Sequence, residues 1–273
     1  MYKVSASDVS KLRNITGAGM MDCKKALEES QGDFDKAIEI LRKKGQKVAA
    51  NRADRDSVEG AVIAQVNDDH TKGIIISLNC ETDFVAKNDD FVALAKQLAD
   101  IAMNYDDKEA FLNADIGGIS VAEKLIEQTG VIGEKIEIGN FQVLNGAFLN
   151  AYIHAGNKIG AVASLSANVE GAAEVAREVA MQVAAMSPVA LNEEQVPAAT
   201  IEQELEIAKD QLRQEGKPEN MIDNIAKGKL NKFFKDNTLI HQPFIKDAKI
   251  SVADYVKSVN PDLKVTGFIR FGL

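Results

Sequence analysis

The sequence predicts an α+β fold in which a small three-helix module precedes a duplicated core with small antiparallel sheets and an inserted helical hairpin. Two observations support this fold class. A strand–turn–strand–helix pattern occurs twice, with Ser77 and Ser164 at matching positions 87 residues apart, and a helical period returns after Pro197. The 273 residues, 45% of them hydrophobic, suffice for roughly two domains with buried cores.

The first predicted element is the three-helix module. Ser7, Asp22 and Asp33 each precede apolar residues with helical spacing, so we expect them to be the N-caps of three short helices. The third helix shows the one-sided stripe of a packed helix most clearly. This stripe consists of Phe34, Ala37, Ile38 and Leu41.

A change of charge marks the first boundary. Residues 1–56 hold 12 basic and 9 acidic residues, whereas residues 57–198 hold 8 basic and 21 acidic residues. The change falls at Lys47–Arg52, where we expect a linker. We therefore expect a first domain at 1–55 and the N-terminal half of the core at 56–143.

Each copy of the repeat predicts two β-strands, a connecting turn and then a helix. The helix covers Phe91–Met103 in the first copy and Ala172–Met186 in the second. The end of the helix lies 25 residues after Leu78 in the first copy but 21 residues after Leu165 in the second, so the first copy has about four extra residues. They fall within Glu81–Asn88, a loop that the fold itself does not require, and function concentrates in such loops.

Two apolar runs on either side of Gly216-Lys217-Pro218 predict an antiparallel hairpin with coiled-coil-like packing at 197–235. The runs consist of Ile201, Leu205, Ala208 and Leu212, and of Ile222, Ala226, Leu230 and Phe233. We expect the C-terminal half of the core to comprise 144–196 and 236–273, with a short helix near Val252–Val259 and a closing strand at Val265–Phe271.

Composition argues against several classes of function. The formal net charge of −9 is opposite to that of a protein that coats nucleic acid. The three histidines lie far apart, and the sequence has no GxxxxGK[ST], GxGxxG, GxSxG or HExxH motif, so it predicts no enzyme, no cofactor and no metal site. Cys23 and Cys80 are isolated, which is typical of a reducing compartment. With neither an apolar run of about 18 residues nor a leader pattern, we expect a cytoplasmic protein without a membrane span.

Four motifs in order along the chain resemble the bacterial elongation factor Ts family, the guanine-nucleotide exchange factors of the GTPase elongation factor Tu. The first begins at Leu12 and runs through Thr16-Gly17-Ala18-Gly19-Met20-Met21-Asp22-Cys23-Lys24-Lys25-Ala26-Leu27. The others are Cys80-Glu81-Thr82-Asp83-Phe84-Val85-Ala86-Lys87, Gln242-Pro243-Phe244 and Val265-Thr266-Gly267-Phe268-Ile269-Arg270-Phe271. Together they cover nearly the whole chain.

The resemblance implies a ubiquitin-associated-like first domain, a two-part core, a coiled-coil hairpin, and elongation factor Tu as the partner. It implies that Thr82, Asp83, Phe84 and Val85 enter the GTPase and disturb its Mg²⁺ site. It also implies partner contacts at Arg13, Met20, Met21 and His154. Many family members continue into a further C-terminal helix, and a chain ending at Leu273 is expected to lack that contact or to replace it.

The residues also allow plainer interpretations. Phe84 fits a core position, Asp83 fits a helix cap, and one of Met20 and Met21 is expected to point inward. The alternative functions are a non-catalytic scaffold that uses the hairpin and a ribosome- or RNA-associated adaptor. The sequence leaves open whether the protein forms a homodimer or a 2:2 complex.

Overall fold

The computed structural model describes residues 3–273; Met1 and Tyr2, with which the predicted first domain begins, lie outside the described residues. The helices are α1 (Ala6–Thr16), α2 (Met20–Glu29), α3 (Phe34–Arg52), α4 (Asp83–Ala86), α5 (Asp89–Ala102), α6 (Lys108–Leu112), α7 (Val121–Ile132), α8 (Ala172–Met186), α9 (Ala198–Gln214), α10 (Glu219–Asn237) and α11 (Val252–Val259). The strands are β1 (Glu59–Val66), β2 (Lys72–Cys80), β3 (Glu137–Asn145), β4 (Phe148–Ile153), β5 (Ile159–Leu165), β6 (Pro243–Phe244), β7 (Asp247–Ser251) and β8 (Val265–Gly272).

Helices α1, α2 and α3 form the expected three-helix bundle around their own apolar cluster, but two of the three predicted N-caps are wrong. The side chain of Ser5, not Ser7, accepts from the Asp8 backbone N–H at 3.1 Å and caps α1. Helix α2 begins at Met20 after Gly19, so Asp22 lies inside its first turn, where a carboxylate is still favoured by the helix dipole. Asp33 caps α3 as predicted, accepting from the Lys36 N–H at 3.1 Å.

The predicted linker at Lys47–Arg52 is wrong, because these residues form the last turns of α3. The helix continues because its C-terminal half packs against α7 of the core. Gly45 and Gly130 lie where the two helices cross: a Cβ added to Gly130 would lie 2.5 Å from the Gly45 Cα. The packing of α3 on α7 thus extends α3 through the segment where the charge pattern predicted a linker. The same packing attaches the three-helix bundle to the core.

The first half of the core is a three-stranded antiparallel sheet, β1–β2–β3, covered on one face by helices α4 to α7. The second half repeats this plan with β4–β5–β8, covered by α8 and α11. The small antiparallel sheets and the helices after them are confirmed. Each sheet also gains a third strand from later in the chain, and in both the register shifts at the matching positions Ser77/Leu78 and Ser164/Leu165.

The two sheets are joined by reciprocal hydrogen bonds between matching positions of the repeat. The Val62 N–H donates to the Asn157 carbonyl at 2.8 Å, and the Leu149 N–H donates to the His70 carbonyl at 2.7 Å. His70 and Asn157 both adopt a left-handed backbone, with φ of 58° and 54°. Each turn therefore attaches one sheet to the first strand of the other.

Between the sheets lies a small apolar cluster formed by Val62, Ala64, Ile75, Leu149 and Val162. Close approach here depends on two glycines 87 positions apart. A Cβ on Gly73 would lie 2.6 Å from Val162, and one on Gly160 would lie 2.9 Å from Val62. The sheets thus pack face to face with each glycine receiving a valine of the other half.

Helices α9 and α10 form an antiparallel hairpin that packs along a narrow apolar seam. Ala208, Leu212, Ile222 and Ala226 are buried in it, and all four belong to the predicted apolar runs. At its base, the buried Gln242 side chain donates to the carbonyls of Asp236 and Met186, at 3.1 and 3.4 Å. Within residues 3–273, no helix combines the length and the apolar composition that a membrane crossing requires.

Candidate functional site

Of the extra residues of the first repeat, two extend strand β2 to Cys80 and the others lengthen the connection that follows, which forms a one-turn helix at the surface. We call residues 81–88 the 81–88 loop; it leaves the buried strand β2, forms α4 and enters α5. Thr82 is the N-cap of α4, with its hydroxyl accepting from the Val85 N–H at 3.5 Å. Val85 and Ala86 pack towards the core, while the Phe84 side chain is 85% exposed. Phe84 is therefore not the core residue that a plainer interpretation suggested.

Asp83 does not cap a helix, since α4 is capped by Thr82 and α5 by Asn88. Its Oδ2 lies 2.6 Å from the Lys87 Nζ one turn further on. This hydrogen-bonded ion pair lowers the pKa of Asp83 and raises the pKa of Lys87, and the nearby Lys158 adds a weaker attraction for the aspartate. Asp83 is thus presented as an ionised but already paired carboxylate.

The base of the loop is held by two carboxylates that sequence reasoning missed. Glu134 lies in the turn between α7 and β3 and accepts from the backbone N–H groups of Glu81 and Thr82, both at 3.0 Å. It also accepts from the Thr82 hydroxyl at 2.6 Å. Glu81 in return accepts from the Lys135 N–H at 2.7 Å and from Arg52 Nη1 at 2.6 Å. Nothing in the sequence around Glu134 indicates this contact, because it joins positions more than 50 residues apart.

Below the loop, Cys80 is buried, as expected for a small apolar side chain in a strand. Burial raises the pKa of its thiol to about 12, with a further contribution from the Glu134 carboxylate. A thiol with this pKa is not a nucleophile at neutral pH. Among residues 3–273, no three His, Cys, Asp or Glu side chains lie together as metal ligands would.

A second exposed apolar surface lies on the three-helix bundle. Met20 and Met21 are 60% and 63% exposed, so the expectation that one of them points inward is wrong. Both lie in the first turn of α2, and with Val9 and Arg13 of α1 they line a groove of about 420 Å³. Exposed methionines beside a cationic side chain suit an adaptable contact surface.

The three-helix bundle and the 81–88 loop meet at a second groove. A groove of about 270 Å³ is lined by Gly17, at the end of α1, and by Val85 and Asn88 of the 81–88 loop, with Val131 of α7 between them. Gly17 and Val85 are 68 positions apart in sequence, and the packing of α3 on α7 brings them to the same groove. His154 lines neither groove; it is exposed at the end of β4, where its Nδ1 lies 3.1 Å from the Tyr152 hydroxyl.

The described residues thus present two apolar contact surfaces, the exposed Phe84 on a held loop and the methionine-lined groove on the three-helix bundle. A family model described as Elongation factor TS matches residues 81–273, which begin at the 81–88 loop. Three curated relatives named Elongation factor Ts align over essentially the whole of both chains.

The relative from Christiangramia forsetii is 67% identical over 273 residues, covering 100% of both chains, and that from Flavobacterium psychrophilum is 64% identical with the same coverage. The relative from Porphyromonas gingivalis is 46% identical and covers 99% of this chain and 98% of its own length. A family match over more than half of the sequence and this identity over full length agree with the four motifs. The chain belongs to the elongation factor Ts family of translation elongation factors.

Proposed function

We propose that this protein is the guanine-nucleotide exchange factor of elongation factor Tu and that it acts by inserting Phe84 into the GTPase. Nucleotide exchange on elongation factor Tu is the known role of the family. The observation that supports the mechanism is the 85% exposure of Phe84 on a loop whose base is held by hydrogen bonds. Thr82, Asp83, Phe84 and Val85 then act together on the Mg²⁺ and phosphate site of the partner.

The driving force for insertion is the burial of apolar surface. A phenylalanine side chain that moves from water into an apolar site gains about 1.5–3 kcal/mol. By linkage, the amount by which the factor weakens GDP binding equals the amount by which GDP weakens binding of the factor. Phosphate and Mg²⁺ contacts in such GTPases are charge-dense, so a small displacement of their ligands is enough to release the nucleotide.

The role of Asp83 follows from its ion pair. A free carboxylate would repel phosphate directly, whereas Asp83 is already paired with Lys87 at 2.6 Å. An exposed pair of this kind is weak, so the GTPase can exchange Lys87 for its own donors at little cost. Asp83 thereby accepts hydrogen bonds from the backbone that Phe84 displaces.

The remaining contacts make the binding surface composite. Arg13, Met20 and Met21 hold the nucleotide-binding domain of the partner beside the inserted loop, and His154 contacts a different domain. The proposed domains are a ubiquitin-associated-like domain at 1–55 and a coiled-coil hairpin at 197–235. The first half of the core is 56–143, and the second half comprises 144–196 and 236–273. We place the protein in the cytoplasm, where translation occurs.

The test is the rate of labelled GDP release from elongation factor Tu with and without this protein. The double variant Phe84→Ala with Asp83→Ala is expected to lower the stimulated rate by at least about tenfold, which corresponds to about 1.4 kcal/mol of activation free energy for release. The matched control is Met221→Ala, which truncates an apolar side chain 49% exposed on the hairpin. Circular dichroism of both variants monitors the fold.

Unchanged stimulation by the double variant would refute the proposed mechanism. A scaffold that uses its hairpin predicts that neither the wild-type protein nor any variant accelerates GDP release. An RNA-associated adaptor predicts RNA binding that weakens steeply with salt, which the net charge of −9 disfavours.

A further inference from the structure

We propose that Glu81 and Glu134 are positioning residues that hold the 81–88 loop so that Phe84 meets the GTPase in one orientation. We refer to these two side chains as the carboxylate clamp. This inference rests on the proposed insertion of Phe84. The two carboxylates fix the position of Phe84 for insertion without themselves contacting the partner.

Glu134 holds the residue at which α4 begins. One of its oxygens accepts from the Glu81 and Thr82 N–H groups, both at 3.0 Å, and the other accepts from the Thr82 hydroxyl at 2.6 Å. Hydrogen bonds to a carboxylate are about twice as strong as those between neutral groups. Gly133, with φ of 83°, ends α7 and turns the chain so that Glu134 faces the loop.

Glu81 provides the opposite half of the clamp. Its Oε1 accepts from the Lys135 N–H at 2.7 Å, directly after Glu134 in sequence, and from Arg52 at 2.6 Å. The loop and the α7–β3 turn are therefore joined by bonds in both directions. Because Arg52 is the last residue of α3, the clamp also ties the loop to the three-helix bundle, whose groove lies beside it.

Local structure alone would not keep Phe84 in place. A helix of four residues is too short to be stable by itself, and a side chain that is 85% exposed has almost no packing to hold it. The second repeat shows what the fold needs: its shorter connection, 166–171, is joined to the neighbouring strand by two bonds between Ser166 and Lys264, at 2.9 and 3.0 Å. Within residues 3–273, no carboxylate holds that connection.

The carboxylate clamp is thus found at the longer connection of the first repeat and not at the equivalent connection of the second repeat. Its physical effect is to order the loop before the partner arrives, so that binding energy is not consumed in ordering it. A misplacement of about 1 Å in a functional group can cost up to about 100-fold in rate, which sets the scale of the expected effect.

The experiment is a double-mutant cycle on stimulated GDP release at saturating concentrations of the exchange factor. Glu134→Ala is expected to lower the maximal release rate about tenfold in the wild-type background, within the range that such misplacement allows. In the Phe84→Ala background it is expected to change the rate less than about twofold, because there is no longer a side chain to position. A purely structural role would give the same loss in both backgrounds.

Two further variants sharpen the test. Glu134→Gln keeps an oxygen for the two N–H groups and an amide that donates to the Thr82 hydroxyl, so it is expected to recover most of the rate that Glu134→Ala loses. Glu123→Ala is the matched control: this carboxylate at the opposite end of α7 likewise accepts from a backbone N–H and a hydroxyl, those of Ser120 at 2.8 and 3.0 Å. Its removal is expected to leave release unchanged.

The position of the loop is read directly by fluorescence. The chain contains no tryptophan, so Phe84→Trp introduces a unique reporter. Adding Glu134→Ala is expected to speed the local anisotropy decay of this indole, while adding Glu123→Ala leaves it unchanged. An unchanged decay with Glu134→Ala overturns the inference.

The outcomes separate the two proposals. If Phe84→Ala leaves release unchanged, the proposed insertion fails. If Phe84→Ala slows release but Glu134→Ala does not, or slows it equally in both backgrounds, insertion stands and the positioning role is refuted.

Discussion

The crossing of α3 and α7 at Gly45 and Gly130 provides a test of how the three-helix bundle is held. In Gly130→Ala, the new Cβ would lie 2.5 Å from the Gly45 Cα, and ordinary contact begins near 3.4 Å, so the two helices must separate by about 1 Å. Overpacking of this kind costs about 1–3 kcal/mol. The alanine itself returns up to about 1 kcal/mol, because it favours a helix more than glycine does.

We therefore expect Gly130→Ala to lower the free energy of unfolding by up to about 2 kcal/mol, measured by urea denaturation followed by circular dichroism. The matched control is Gly228→Ala in α10, where nothing lies within 4 Å of an added Cβ. This variant is expected to gain about 0.5–1 kcal/mol from the same change in helix propensity.

The same pair of variants tests the function of the crossing. Separation of α3 from α7 moves Met20 and Met21 relative to the 81–88 loop, so Gly130→Ala is also expected to slow stimulated GDP release, while Gly228→Ala does not. If Gly130→Ala stabilised the protein as much as Gly228→Ala and released GDP at the wild-type rate, the close packing of the two helices would not be what holds the bundle.

Two further predictions follow from the ionisable groups. Burial raises the pKa of Cys80 to about 12 and also raises the pKa of Cys23. Both thiols are therefore expected to resist alkylation at pH 8 in the folded protein and to react in urea. Rapid labelling of Cys80 without urea would contradict its burial. The hydrogen bond from the Lys135 N–H, and secondarily the Arg52 guanidinium, lowers the pKa of Glu81 below its ordinary value of 4.5. The contribution of Glu81 to stability is therefore complete above pH 4.5 and is lost as the pH falls through the lowered pKa of the folded protein. In Glu81→Gln, the free energy of unfolding should therefore fall less steeply with decreasing pH below about pH 4.5 than it does in the wild type. An equally steep fall in the variant would show that Glu81 does not contribute to the pH dependence of stability.

Local pattern was sufficient wherever neighbours in sequence are also neighbours in space. The helical period after Pro197, the strand patterns around Ser77 and Ser164 and the cap at Asp33 are each visible within a few residues of sequence, and the structure has all of them. The predicted cap at Ser7 was wrong because Ser5, two residues earlier, can begin the same helix. The predicted cap at Asp22 was wrong because α2 begins after Gly19 without any side-chain cap.

Comparison of the two repeats also located the 81–88 loop from sequence alone. The second repeat shows that a shorter connection between strand and helix is sufficient for this fold, so the longer one in the first repeat stands out. It could not show that Phe84 is exposed or that Asp83 is paired, since both depend on which way a single helical turn faces. The exposure of both Met20 and Met21 was missed for the same reason.

The sequence by itself determined the fold class, the duplication, the hairpin and the segment that carries the candidate site. The tertiary structure alone decided how that segment is presented. The Gly45–Gly130 crossing, at which α3 packs on α7 and continues to Arg52, and the bond that Glu134 accepts from the Thr82 hydroxyl join residues that are 85 and 52 positions apart. Such contacts arise when helices and sheets pack, and no periodicity of apolar residues along the chain encodes which distant carboxylate will meet a loop.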